Sequence, residues 1–169
     1  YIIKILDTNH LISLYWGKKL NSDNVEYVFR TRDFGSFLTN TDNINGFMIE
    51  STSLEYPSFG TTDLRSPAIE FQFKDGTSAT DLRYKCHNIY KGKNKLDNLP
   101  ATYIENDTEA ETLEITLIDS LKNVEVILSY SVFEEFNAIT RSVKVKNLSK
   151  EQVNNFALKN NVNLSGLEL

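Results

Sequence analysis

The chain has a single cysteine, Cys86, so no disulfide can form within it and none supports the fold. That suits a reducing compartment. No apolar run approaches the roughly 18 residues that a membrane-spanning helix needs, and no signal peptide is visible. Basic runs are missing as well; the nearest, Lys91-Gly92-Lys93-Asn94-Lys95, is short. With a net charge of −5 and a sequence pI near 5.1, the chain lacks the clustered Lys and Arg that grip a nucleic-acid backbone. Catalytic signatures are equally scarce. Lys91-Gly92-Lys93 has neither the upstream glycine nor the following Ser or Thr of a phosphate-binding loop. One Cys and two His far apart make no zinc set, and there is no Gly-x-Ser-x-Gly elbow. Neither a metal nor a cofactor is expected, and neither nucleic acid nor a membrane is expected as partner.

What remains is an ordinary globular composition, 40% hydrophobic and 24% charged over 169 residues, enough for one domain with a real core. Both ends fall inside strand-like runs, so residues 1–169 are expected to be one domain cut from a longer chain.

The dominant signal is a period of two. Leu113, Ile115 and Leu117 alternate with polar residues, and Val124, Val126, Leu128, Tyr130 and Val132 alternate with Glu125, Ile127, Ser129 and Ser131. Ile139, Val143 and Val145 follow the same rule, as do Phe156, Leu158, Val162 and Leu164. Successive strand side chains point to opposite faces, so each run has one apolar and one wet face, as half-buried antiparallel strands do. The short polar spacers Lys122-Asn123, Glu134 to Asn137 and Ser149 to Gln152 make these four runs read as a meander. Two hairpins are expected before it. Asp75-Gly76 supplies the positive φ of a tight turn between Ile69-Phe71-Phe73 and a return strand with Leu82, Tyr84 and Cys86 on one face. Asp7-Thr8-Asn9 separates Ile2 to Leu6 from His10 to Trp16. These last two strands are apolar on both faces and are expected near the centre of a sheet. Gly17 to Pro67 is polar and irregular, with a short helix possible from Asp23, where Glu26 completes a capping box. Loops of that length are usually functional or lie against another domain. The fold class is therefore all-β, an antiparallel sandwich of two packed sheets with a long irregular N-terminal loop region.

Candidate chemistry is thin. His10 opens a strand and His87 lies on a polar face; with no nucleophile beside either, both read as surface or capping residues rather than bases. Cys86 has apolar-face parity and reads as a buried, inert thiol. Arg141 shares the parity of Ile139 and Val143, and a charge on that face must be paired. Asn147 and Asn160 also break apolar faces and read as strand ends or satisfied polar contacts. Glu134-Glu135 reads as solvated turn charge, since adjacent turn residues point apart whereas glycosidase carboxylates converge. The densest stretch runs from Leu54 to Ala68. Pro57 and Pro67 fix its backbone and Gly60 permits a sharp bend. Asp63 and Arg65 can form an ion pair that holds this loop, and Tyr56 is expected to order it or to face an interface.

That stretch, Leu54-Glu55-Tyr56-Pro57-Ser58-Phe59-Gly60 through Phe71, resembles the N-terminal domain of bacterial α-galactosidases of glycoside hydrolase family 36. The resemblance continues through Asp81-Leu82-Arg83-Tyr84-Lys85-Cys86-His87, Lys91-Gly92-Lys93, Leu99-Pro100-Ala101-Thr102-Tyr103, Glu111-Thr112-Leu113-Glu114-Ile115 and Ile139-Thr140-Arg141-Ser142-Val143. Leu14-Tyr15-Trp16-Gly17-Lys18 adds to it near the start. It implies a β-supersandwich packed on a (β/α)8 catalytic barrel, in a bacterial cytoplasmic enzyme that hydrolyses terminal α-galactosides such as melibiose and raffinose with retention. It also implies that the nucleophile and acid/base are aspartates of that barrel, so no catalytic residue falls in this chain. The resemblance further implies an oligomer, a tetramer in many members, in which this domain approaches a neighbouring subunit's active site. A sugar-binding aspartate is then expected in the loop after the Gly-Lys strand. The matching stretch Phe29-Arg30-Thr31-Arg32-Asp33-Phe34 points to Asp33, whose carboxylate accepts hydrogen bonds from sugar hydroxyls or is simply a solvated loop charge.

Two functional classes follow. One is a non-catalytic accessory domain that supports the barrel, the assembly and the active-site rim. The other is a free-standing carbohydrate-binding sandwich that uses exposed aromatics, with Trp16, Tyr56, Phe59, Tyr90 and Tyr103 as candidates.

Overall fold

The two-residue alternation becomes strand pairing along most of the chain. The computed structural model describes residues 1–21, 25, 49, 52–60, 65–96, 101–150, 153–158 and 162–163. Among them the strands are β1 (Ile2–Ile5), β2 (Leu11–Tyr15), β3 (Ile69–Phe73), β4 (Arg83–Lys91), β5 (Glu111–Asp119), β6 (Val124–Phe133), β7 (Ala138–Asn147), β8 (Val153–Leu158) and β9 (Val162–Asn163). They form a five-stranded sheet in the order β4-β5-β6-β7-β9 and two-stranded sheets β3-β8 and β1-β2. All pairs are antiparallel except β7 with β9. No α-helix occurs among the described residues; the helix expected from Asp23 falls almost wholly outside them.

Three of the expected turns are closed by asparagine in the left-handed region, Asn9 at φ 61°, Asn123 at φ 54° and Asn137 at φ 49°. A short polar side chain tolerates that conformation where a β-branched one does not. The core lies between the five-stranded sheet and the β3-β8 pair. Ile115, Leu117, Val126, Leu128, Val143 and Val145 meet Ile69, Phe71, Phe73 and Val153 there, with Leu11, Tyr56 and Leu82 at its margin. Leu6 and Ile12 form a small second cluster with Leu14, Ile49 and Leu54.

Four expectations are corrected. The Asp75-Gly76 turn forms, with the Gly76 N–H donated to Phe73 O at 2.9 Å and Gly76 at φ 80°, but no hairpin follows. β3 pairs with β8 and β4 pairs with β5, because β3 and the β4-β5 face each carry one apolar side and bury more by stacking across the core than by lying edge to edge. The meander likewise starts one strand earlier, at β4, and ends at β7; β8 leaves to cover the core. The first hairpin is a sheet of its own, with Lys4 and Ile5 exposed, since β2's far side takes up the segment before β3 instead. Cys86 is exposed. Tyr84 faces Leu117 but Cys86 faces Thr116, so Lys85 is an extra residue, and a one-residue bulge flips every later side chain to the other face.

The end of the long loop is built into the structure. The Glu55 N–H donates to Leu11 O and the Ser13 N–H to Ser53 O, each at 2.9 Å, laying residues 53–55 beside β2. Farther along, the Phe59 N–H donates to Ile69 O at 3.0 Å and the Thr80 N–H to Phe59 O at 2.9 Å. Residues 52–60 thus stitch the first hairpin to β3. Gly60 makes the last bend at φ 116°, and an added Cβ there lies 2.6 Å from the Ala79 Cα. Gly60→Ala is therefore expected to destabilise by about 2 kcal/mol or more, read from urea unfolding; a change inside experimental error removes this account of the bend.

Candidate functional site

Arg141 comes from the middle of β7, where parity turns it toward the core beside Tyr130 of β6. Its partner is Glu55, brought in by the 52–60 segment. The Arg141 Nη2 lies 3.1 Å from Glu55 Oε1, and the Glu55 side chain is 1% exposed against 39% for Arg141. Tyr130 donates its phenol to the same carboxylate at 2.6 Å, and the Tyr1 phenol donates to Oε2. The Arg141 guanidinium also sits 5.3 Å from the Tyr130 ring centroid, within range of a cation–π contact. Burial, reinforced by the hydrogen bond to Glu55, pushes the Tyr130 phenol far up and that of Tyr1 to about 12. A carboxylate held by two phenols and a guanidinium is spent on holding the structure together and is not placed to move a proton. Beside it, Tyr1, Ser13, Trp16, Tyr130, Ile139 and Arg141 line an open cavity of about 320 Å³.

A second polar cluster joins the first hairpin to β4. His10 is buried, correcting its reading as a surface or capping residue. Its Nε2 faces Asp81 Oδ1 at 3.3 Å and its Nδ1 lies 2.7 Å from the Thr8 hydroxyl. An ionised carboxylate only accepts, so Nε2 carries the donated proton and, in the neutral ring, Nδ1 accepts from Thr8. Arg83 grips both Asp81 oxygens and donates to Thr8 O at 2.5 Å. Burial raises the Asp81 carboxyl, but the hydrogen bonds from His10 and Arg83 and the charge of the Arg83 guanidinium outweigh it and hold it at about 2. Asp119, also buried, accepts the backbone N–H groups of Asp81, Leu121 and Lys122 at 2.9 Å each and so braces the β5–β6 turn.

Of the residues singled out in the sequence, Asp33 and Asp63 lie outside the described residues, so the Asp63–Arg65 pair does too. Arg65 Nη2 donates to Ile49 O at 2.8 Å. Tyr56 is buried in the core. Burial pushes its phenol to about 12, and among the described residues its hydroxyl has no hydrogen-bond partner. It is therefore no sugar platform; of the other aromatic candidates Trp16, Phe59 and Tyr103 are exposed and Tyr90 is half-buried. Glu134 and Glu135 are exposed in the β6–β7 turn, as expected. The residues that sequence reasoning missed are Glu55, Tyr1 and Tyr130. The signal for them was Arg141, whose parity demanded an acid without saying which.

Two outcomes check these clusters. Tyr130→Phe removes the phenolic donor to a buried carboxylate and is expected to destabilise by about 1.5–3 kcal/mol in urea unfolding; a loss below about 0.5 kcal/mol, ordinary for a surface change, removes the claim that Glu55 needs it. The Asp81 carboxyl titrates near 3.8 unfolded and about 2 folded. Its contribution is complete above 3.8 and disappears as the pH falls through 2. Because the side chain is 36% exposed, the contribution is about 1 kcal/mol after solvent screening. Asp81→Asn is expected to flatten the pH dependence of unfolding across that window, and an unchanged slope overturns the assignment.

Comparison with known proteins places these clusters in a wider setting. A model of the "Glycosyl hydrolase family 36 N-terminal domain" matches residues 9–161. Alpha-galactosidase AgaA of Geobacillus stearothermophilus is 42% identical over 154 residues, 90% of this chain and 21% of that protein. The bifunctional alpha-galactosidase/sucrose kinase AgaSK of Mediterraneibacter gnavus is 36% identical over 157 residues, 90% of this chain and 16% of that protein. A crystal structure of a Geobacillus stearothermophilus AgaA variant in complex with stachyose superposes with a TM-score of 0.85 at 39% identity, covering 94% of this chain and 22% of that one. The chain thus spans only about a fifth of the length of the proteins it matches.

Proposed function

Since the chain belongs to the family of glycosyl hydrolase family 36 N-terminal domains, we propose that it is the non-catalytic accessory domain of an α-galactosidase acting on terminal α-galactosides of the melibiose and raffinose type. The observation that carries this reading is the match of the family model to residues 9–161 by a chain that spans 21% of AgaA. AgaA in complex with stachyose supports the substrate class. In this reading the chemistry resides in a (β/α)8 barrel elsewhere in the polypeptide, and this domain supports the barrel, takes part in a homo-oligomer, a tetramer, and forms part of the active-site rim.

The physical support is the way its charged groups are used. Glu55, Asp81 and Asp119 are each committed to partners that hold strands and turns together. The contribution to substrate is assigned to Asp33, as a carboxylate that accepts hydrogen bonds from a sugar hydroxyl in a neighbouring subunit. A bacterial cytoplasmic setting belongs to the same reading, supported by one exposed cysteine outside any disulfide.

The test is made on the parent enzyme. Hydrolysis of melibiose and raffinose is expected, with a tetramer by light scattering. Asp33→Ala is expected to raise KM about tenfold with kcat little changed, because a hydrogen bond to a charged group contributes about 1.5–3 kcal/mol. Unchanged kinetics leave the domain a purely structural role, and a parent without α-galactosidase activity overturns the whole reading.

A further inference from the structure

The core-facing side of the five-stranded sheet loses its cover toward one end. In one row Ile115, Leu128 and Val143 stand side by side and are sealed. In the next row Ile89, Leu113, Tyr130 and Arg141 are aligned; Tyr130 is still buried, but Ile89 is 57% exposed. In the last row Val132 faces Ile139, and they are 44% and 38% exposed. Trp16, 70% exposed, packs edge-on against Tyr1 with ring centroids 5.1 Å apart. Both border the 320 Å³ cavity over Tyr130, Ile139 and Arg141. The opposite layer is two strands against five.

Strand residues of one parity share one face, so these are core-face positions left open rather than scattered surface residues. Single exposed apolar side chains need no explanation, but a contiguous set on one face marks a docking surface. Of the charges on this face, Arg141 is paired with Glu55, and Lys91 and Glu111 stand opposite each other only at the rim, across β4 and β5. The fitting partner is therefore an apolar protein surface rather than an ion or a charged polymer. The chain spans 21% of AgaA, so most of such a protein lies outside the structure and is available to cover the face.

We propose that the face formed by Trp16, Ile89, Val132 and Ile139 is the seat on which the rest of the parent polypeptide packs. This rests on the accessory-domain reading and adds the surface that performs it. The sheet is then completed as a core only in the full-length protein, and the apolar rows continue from one folded unit into the next.

Hydroxyl-radical footprinting of the intact parent enzyme, with each site's rate normalised to that in the denatured parent, tests this. Leu121, 92% exposed in the β5–β6 turn, is the internal reference and is aliphatic like Ile89. Trp16, Ile89, Val132 and Ile139 are expected to be labelled about tenfold more slowly than Leu121 after normalisation, at every protein concentration and without added sugar. Labelling as fast as Leu121 overturns the proposal. So does protection that fades on dilution, which makes the occupant a second copy, and so does protection that arises only on adding raffinose, which makes it a saccharide. Raffinose hydrolysis is measured on the same sample: an inactive parent strikes the α-galactosidase reading, whereas an active parent with a labelled face strikes this inference alone.

Discussion

A carboxylate with 1% of its side-chain surface exposed has to be neutralised where it stands, and in this chain that requirement ties three distant segments together. Glu55 reaches Arg141 of β7, Tyr130 of β6 and Tyr1 ahead of β1. None of those contacts forms unless residues 53–55 lie along β2, and that alignment in turn needs the backbone bonds from Ser13 and Glu55. Loss of the pairing leaves a buried charge, so the first hairpin, the 52–60 segment and the large sheet assume their places together.

The second polar cluster does the same work at the other end of the hairpin. Asp81 ties His10 and Arg83, and Arg83 reaches back to Thr8 O. Between the two clusters Leu11 and Ile3 of the hairpin join the main core, while Leu6 and Ile12 form the small second cluster. The resulting scaffold commits its buried acids to architecture.

The sequence was most legible where one rule decided the outcome. Alternation located β5, β6 and β7 and the apolar faces of Val126, Leu128, Val143 and Val145. Turn chemistry located Asn9, Asn123 and Asn137. Parity showed that Arg141 had to be paired. Legibility failed where two rules competed. Ile69, Phe71 and Phe73 followed by Asp75-Gly76 read as one arm of a hairpin, yet the gain from facing the large sheet outweighed the gain from edge pairing. Cys86 kept apolar parity by count, but one inserted residue, Lys85, reversed it.

By itself, then, the sequence determined the all-β character, the turn positions, the apolar faces and the family, because each is written in local period or in ordered motifs. Only the tertiary structure decided which strand pairs with which, which acid neutralises Arg141 and which core-face rows stay open. Those outcomes depend on contacts between residues far apart in the chain, such as Glu55 with Arg141 and Phe73 with Val153. Partner choice there is settled by the total area buried and the charges left unpaired, and no local pattern records either quantity.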